Sequence, residues 1–438
     1  LAIALHKKGV TVTGSDDEIF DPAKGRLNKY GLLPSEEGWR PEILDKDLDA
    51  VILGMHARAD NPELLRAQEL GLKIFSYPEY LYEQAKDKKR VVIGGSHGKT
   101  TITAMILHVL QYHGVDCDYM VGAQLEGFEV MVKLSDTARI MVFEGDEYLT
   151  SPIDRRPKFH LYQPDVALIS GIAWDHINVF PTFDNYVEQF RIFASMVSPA
   201  GALIYCEEDP EVKKVAEAVS GRVRTIPYAL PQFSVENGIT TVLHDSQKTS
   251  LMVFGKHNLQ NMNGARLVCN ELGIDDNRFY EAIQSFKGAA KRLELVDRND
   301  TAAVYKDFAH SPSKLKATTR AVKEQFPDRK LVACMELHTF SSLTGEFLLQ
   351  YKGAMDAADV AIVYFSRHAI ALKHLPPITE EMVLEAFGNE NIRVYTDSEV
   401  LYQDLLDMQW HNANLLMMSS GNFNGIDFNL LAKAVLGK

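Results

Sequence analysis

Cysteine is scarce in this chain: Cys117, Cys206, Cys269 and Cys334 are the only four among 438 residues. None falls in a C-x-x-C pair, so neither a thiolate zinc site nor a disulfide framework is suggested, and the four read as small core residues of a reducing cytoplasm. Long apolar runs are missing as well. No stretch approaches the roughly 18 residues that span a bilayer, and no signal peptide is visible. Positive charge is in deficit, with 46 Lys and Arg against 59 Asp and Glu, a formal net charge of −13. That balance excludes nonspecific attachment to nucleic acid or to an anionic membrane, so an anionic ligand must be met by a locally basic site.

Such a site is present. Gly95-Ser96-His97-Gly98-Lys99-Thr100-Thr101 stands directly behind the apolar run Arg90-Val91-Val92-Ile93-Gly94. A buried strand, a glycine turn and a helix starting at Lys99 would aim several backbone N–H groups and one ammonium at a single point, as a polyphosphate requires. The expected ligand is a nucleoside triphosphate. Gly94 and Gly98 enclose three residues where the common phosphate loop has four, which marks out a narrower group.

The length accommodates two or three domains of α/β class. Residues 1–9 read as the second half of a helix closed by Gly9, so an initial strand and turn are expected ahead of them. Residues 10–16 read as a strand ending in Asp16 and residues 50–54 as another, and helix alternating with strand implies a parallel sheet covered by helices. The pattern resets at Lys86-Asp87-Lys88-Lys89, giving a first domain over 1–87. A central domain over 88–295 carries strands at 139–144, 165–170 and 202–206. The last, over 296–438, carries strands at 330–334, 359–364 and 415–418 and reads as a doubly wound, Rossmann-like unit.

Glu144-Gly145-Asp146-Glu147-Tyr148 sets three carboxylates at a strand end. An isolated run of this kind is usually a solvated turn, but behind a phosphate loop Thr100 and Glu144 become a natural pair for Mg²⁺. His176, in Trp174-Asp175-His176, would by itself be an ordinary packed histidine. The stretch 255–265 opens a helix with Asn258 and Asn261 one turn apart, suited either to capping or to the edge of adenine. Arg292, in Lys291-Arg292-Leu293-Glu294, offers a fixed cation or merely a basic turn. Asp307, at the end of another strand, suits a ribose hydroxyl, and His310 follows on a turn stopped by Pro312.

Taken in order, G-S-H-G-K-T-T, E-G-D-E-Y, D-H, G-K-H-N-x-x-N, F-K-G-x-x-K-R-L-E and D-F-A-H-S-P resemble the Mur ligase family over essentially the whole chain. The resemblance implies three domains: a Rossmann-like N-terminal one for a UDP-sugar, with its start missing, a central phosphate-loop ATPase and a C-terminal one that brings the amine. It implies ATP and Mg²⁺ as cofactors, with Gly95, Ser96, His97, Gly98, Lys99, Thr100 and Thr101 around the phosphates. Thr100 and Glu144 would hold a first Mg²⁺ and His176 a second. Asn261 would meet adenine, Arg292 a phosphate and Asp307 the ribose, with His310 close by and Ser15 and Asp16 near the uridine.

Residues 143–162 are most similar to the family's murein peptide ligases. This implies UDP-N-acetylmuramate and a murein tripeptide as substrates of a cytoplasmic enzyme, a monomer or weak homodimer. Transfer to L-alanine is the alternative, and a catalytically weakened sensor is a further one. Where the family usually reads N-x-E-x-D-H, this chain has Gly171-Ile172-Ala173-Trp174-Asp175-His176. Glu336-Leu337-His338-Thr339-Phe340-Ser341-Ser342 also departs from the basic version of this stretch in the alanine ligases.

Overall fold

Val91, Val92 and Ile93 are fully buried, and the strand they form, Lys89–Gly94, lies near the middle of a seven-stranded sheet. A continuous β-branched run fits a strand covered on both faces. The computed structural model describes residues 1–55, 57–125, 127–174, 179–389 and 391–437. The sheet runs in the order Val132–Lys133, Asp118–Met120, Ile140–Glu144, Lys89–Gly94, Val166–Ile169, Ala202–Cys206 and Arg224–Tyr228. Every pairing is parallel except that of the first two strands.

The chain separates into two compact units. The first comprises residues 1–172, 181–228 and 264–274 and contains the seven-stranded sheet; the second comprises 173–180, 229–263 and 275–438. Among the described residues, no helix is long and apolar enough to cross a membrane.

At the start of the first unit, helix Ala2–Lys7 closes at Gly9, whose φ of +83° allows the chain to reverse. Residues 10–16, read above as a strand, form none. Val10 is 42% exposed, and alternating apolar residues make a strand only where a neighbouring strand pairs their backbone. Val51–Leu53 does pair, in parallel, with Ile74–Ser76. Ser76 then caps helix Tyr77–Glu83 in a reciprocal capping box with Glu79.

The second unit holds a six-stranded sheet ordered Glu294–Arg298, Ala302–Asp307, Ala413–Met418, Lys330–Leu337, Val360–Phe365 and Ile392–Tyr395. Only the edge strand Glu294–Arg298 is antiparallel to its neighbour. Its strands feed two cores by strict alternation. Ala303, Tyr305, Ala333 and Met335 face one with helix Pro312–Gln325, while Ala302, Val304, Val332 and Cys334 face the other with helices Ser398–Asp407 and Phe428–Val435. This is the doubly wound arrangement expected from the pattern. Pro312, expected to stop the turn after His310, instead opens the helix at its first position, where its missing N–H costs nothing.

A three-stranded antiparallel sheet, Phe233–Glu236, Ile239–His244 and Gln247–Leu251, was not expected from the sequence reading. Its first turn uses Asn237 and Gly238 and its second Asp245 and Ser246, all at positive φ, the geometry that two-residue hairpins favour.

Candidate active site

The turn leaving Lys89–Gly94 opens at the carboxyl edge of the first sheet, between the ends of Ile140–Glu144 and Val166–Ile169. Gly95 is there of necessity. Its φ is +134°, and a Cβ would stand 2.1 Å from Ser170 Oγ and 3.0 Å from Ser170 N. Gly98, at φ +80°, is the N-cap of helix Lys99–Tyr112 and supplies no side-chain cap. The first N–H groups of that helix therefore present its partial positive charge to whatever anion reaches the turn. Ser96 N donates to Gly171 O at 2.9 Å, and the Ser170 hydroxyl donates to the His97 carbonyl, so the turn is tied to the next strand.

Lys99 Nζ donates to Gly95 O and to Glu147 Oε2, each at 2.6 Å. Burial would lower its pKa, but the charges of Glu147, Asp146 and Glu144 together outweigh this and the net direction is upward, so the side chain is an ammonium at neutral pH. Thr100 Oγ1 donates to Glu144 Oε1 at 2.6 Å, and Gly122 N donates to Glu144 Oε2 at 2.7 Å. A hydroxyl and a carboxylate side by side are hard oxygen donors of the kind Mg²⁺ takes, so Thr100 and Glu144 fit a magnesium ion bound jointly with phosphate. No cluster of three or more His, Cys, Asp or Glu poised for a metal occurs among the described residues.

His176 and Asp175 lie outside the described residues. Gly171, the first departure from the family pattern, has a physical account: a Cβ there would come within 2.4 Å of the His97 ring, which takes the space a larger side chain would need. The next residue, Ile172, donates its N–H at 2.8 Å to Asp209 Oδ2, and Asp209 also caps helix Pro210–Val219.

Asn261, Arg292, Asp307 and His310 belong to the second unit. Asn261 is buried on helix Lys256–Glu271, where Asn258 closes the preceding turn by donating to Phe254 O at 2.9 Å. Arg292, Asp307 and His310 gather around Phe308. The Arg292 guanidinium lies 4.7 Å from the ring centroid, and His310 Nδ1 is 2.8 Å from the Phe308 carbonyl. Asp307 accepts from Leu293 N and, at 2.6 Å, from Ala309 N, leaving lone pairs on both oxygens for a further donor. Burial raises its pKa against the pull of Arg292. Lys291 and Leu293 both take positive φ, +57° and +48°, so Arg292 is presented from a strained turn. In the first unit, Ser15 donates to Glu63, which also accepts the Arg40 N–H at 2.6 Å, while Asp16 is exposed.

Sequence reasoning passed over two residues at the loop. Glu147, 1% exposed, was visible as the last of three carboxylates but not as the partner of Lys99. Tyr186, whose hydroxyl contacts both Ser96 and Glu147, gave no local signal.

Residues 93–269 match the Mur ligase middle domain and residues 291–421 the Mur ligase glutamate ligase domain. A UDP-N-acetylmuramate–L-alanine ligase of Carboxydothermus hydrogenoformans is 27% identical over 99% of this chain and 94% of its own length. The ligase of the same name from Sulfurihydrogenibium sp. is 31% identical over 83% of this chain and 79% of its own. Among solved structures, a murein peptide ligase of Psychrobacter arcticus superposes with a TM-score of 0.66 at 22% identity, covering 100% of this chain and 96% of that one. At that identity the likeness is one of fold.

Proposed function

Because this chain belongs to the Mur ligase family and is thereby an ATP-dependent ligase that forms carbon–nitrogen bonds, we propose that it activates the lactyl carboxylate of UDP-N-acetylmuramate and passes it to an amine. The observation that carries this reading is the convergence of Lys99, Thr100 and Glu144 on the uncapped helix end behind Gly98. A carboxylate is a poor acylating group at neutral pH because its leaving group would be oxide or hydroxide. Attack of the carboxylate oxygen on the γ-phosphorus breaks the bond to the β–γ bridging oxygen, releases ADP and leaves an acyl phosphate. The amine then adds to the carbonyl carbon, a tetrahedral intermediate forms, and inorganic phosphate departs as the amine loses its proton. No protein nucleophile is required.

In this reading Lys99 and the loop N–H groups orient the phosphates and hold positive charge where negative charge collects. Bound Mg²⁺, on Thr100 and Glu144 and a second ion on His176, would supply further neutralisation. Asn261 serves adenine, Asp307 the ribose and Arg292 a phosphate, with His310 near the entry to the third domain and Ser15 and Asp16 near the uridine. The domain limits proposed are 1–87, 88–295 and 296–438.

The acceptor best supported by the relatives is L-alanine, the substrate in their names. One feature favours a second reading, transfer to the tripeptide L-alanyl-γ-D-glutamyl-meso-diaminopimelate. Residues 336–342 carry buried Glu336 and no lysine or arginine, where the resemblance implies a basic stretch in the alanine ligases. Phosphate release from Mg-ATP, measured with UDP-N-acetylmuramate and either acceptor, decides. Release with L-alanine alone upholds the first reading, release with the tripeptide alone replaces it by the second, and silence with both overturns the proposed substrates.

A further inference from the structure

A ring of hydrogen bonds closes the phosphate loop, and no role assigned above uses it. Tyr186, on helix Phe183–Ser195, is fully buried, and its hydroxyl lies 2.8 Å from Ser96 Oγ and 3.1 Å from Glu147 Oε1, to which it donates. Glu147 directs its other oxygen to Lys99. The ring thus runs from Ser96, before Gly98, through Tyr186 and Glu147 to Lys99, behind it. Burying a carboxylate is costly, and a purely structural brace at this place would be made more cheaply by an amide. What distinguishes a carboxylate here is that it faces an ammonium.

We propose that Glu147, braced by Tyr186, is a positioning residue for Lys99: it fixes the ammonium at the mouth of the glycine turn in the orientation from which it meets a triphosphate. The geometry leaves room for this. An ammonium has three N–H donors, and Gly95 O and Glu147 take two, so the third is the one that reaches a phosphate oxygen without Glu147 being displaced. Glu144 and Glu147, three residues apart, then divide two tasks: one holds the hydroxyl of Thr100, the other the amine of Lys99. Without Glu147 the four-carbon stem of Lys99 swings among rotamers, and its orientation must be recovered during turnover.

The inference rests on the ligase reading for its kinetic arm only. The first arm uses the full chain without nucleotide. It is treated with an amine-acylating succinimidyl ester at one fixed pH, and the yield of modified Lys99 is read by mass spectrometry against exposed Lys330. Glu147→Gln is expected to raise the Lys99 yield several-fold relative to Lys330, because the released side chain samples solvent, and Tyr186→Phe to raise it less. In the kinetic arm, Glu147→Gln should reduce kcat by about tenfold or more while KM for ATP changes by less than about threefold. Glu147→Asp should recover part of the rate. Tyr186→Phe removes one oxygen from a packed ring and carries both arms if Glu147→Gln does not fold. Unchanged Lys99 modification in both variants, or a loss lying wholly in KM, overturns the proposal. If the unsubstituted chain releases no phosphate, the substrate reading falls while the modification yield still decides this one.

Discussion

The two parallel sheets each place buried glutamate at the carboxyl end of a central strand, and they satisfy it differently. In the first, Glu144 and Glu147 are answered by the hydroxyl of Thr100 and the ammonium of Lys99, side chains a phosphate or metal can also claim. In the second, Glu336, 2% exposed, accepts from the Ser419 hydroxyl and from Phe423 N at 2.8 Å, with His338 Nδ1 at 3.5 Å. Both edges meet a glutamate with a hydroxyl and a backbone N–H, Thr100 and Gly122 for Glu144, Ser419 and Phe423 for Glu336; the first adds the Lys99 ammonium beside the glycine turn. Burial and neutral donors alone therefore do not set the two edges apart; the neighbouring ammonium and glycine turn do.

Substitutions can break that contrast, and the largest effect is expected at Lys99. Lys99→Ala should reduce ATP-dependent phosphate release by roughly a thousandfold or more, and because it leaves buried Glu147 without its ammonium it should also lower the unfolding midpoint. Release that persists at near-normal rate would place the phosphate site elsewhere. Next come the glycines that let each carboxyl edge close. Gly95→Ala forces a Cβ onto Ser170 at positive φ and should cost about 3 kcal/mol or more in urea unfolding. Gly421→Ala meets Glu336 Oε2 and His338 Nδ1 at 2.8 Å, side-chain atoms rather than backbone, at ordinary φ, and should cost about 1–2 kcal/mol. Equal costs would mean that the second edge is as rigid as the first.

The smallest effect is a pH dependence. Burial pushes the Glu336 pKa up, but His338, the Ser419 hydroxyl and the Phe423 N–H outweigh it and hold the carboxyl below its usual range. Its contribution is then present above the ordinary Glu value of about 4.3 and is lost as pH falls through the depressed folded value. The stability gap between the unsubstituted chain and Glu336→Gln, followed by urea unfolding, should narrow as pH falls below about 5. A gap that widens on acidification would reverse the sign of the assignment.

Much of this was legible because it is local. The buried run before Gly95, the helix start at Lys99 and the strands ending at Glu144 and Asp307 follow from apolar patterning and glycine placement within a few residues. Residues 10–16 misled for the complementary reason: alternation shows that a segment is able to pair, not that a partner is there. Asn237-Gly238 carried a hairpin signal that was passed over. Of the site, the phosphate loop and the carboxylate run were visible, but not which carboxylate meets which donor. That depends on how the chain leaves the strand at Gly145, where a Cβ would come within 2.8 Å of Val92 Cγ1. Tyr186 is 90 residues from Ser96 and 39 from Glu147, a separation that no pattern window spans.

The alternation of the six-stranded sheet between two cores has an evolutionary corollary. Deleting one residue inside Ala413–Met418 or Lys330–Leu337 would send every following side chain of that strand into the opposite core, so lineages can change the length of this unit almost only in its loops. The exposed connections between strands are thereby left as the ground where inherited variation is cheap. A scaffold that forbids indels in its strands and tolerates them between strands can vary its surface over time while its interior stays recognisably the same.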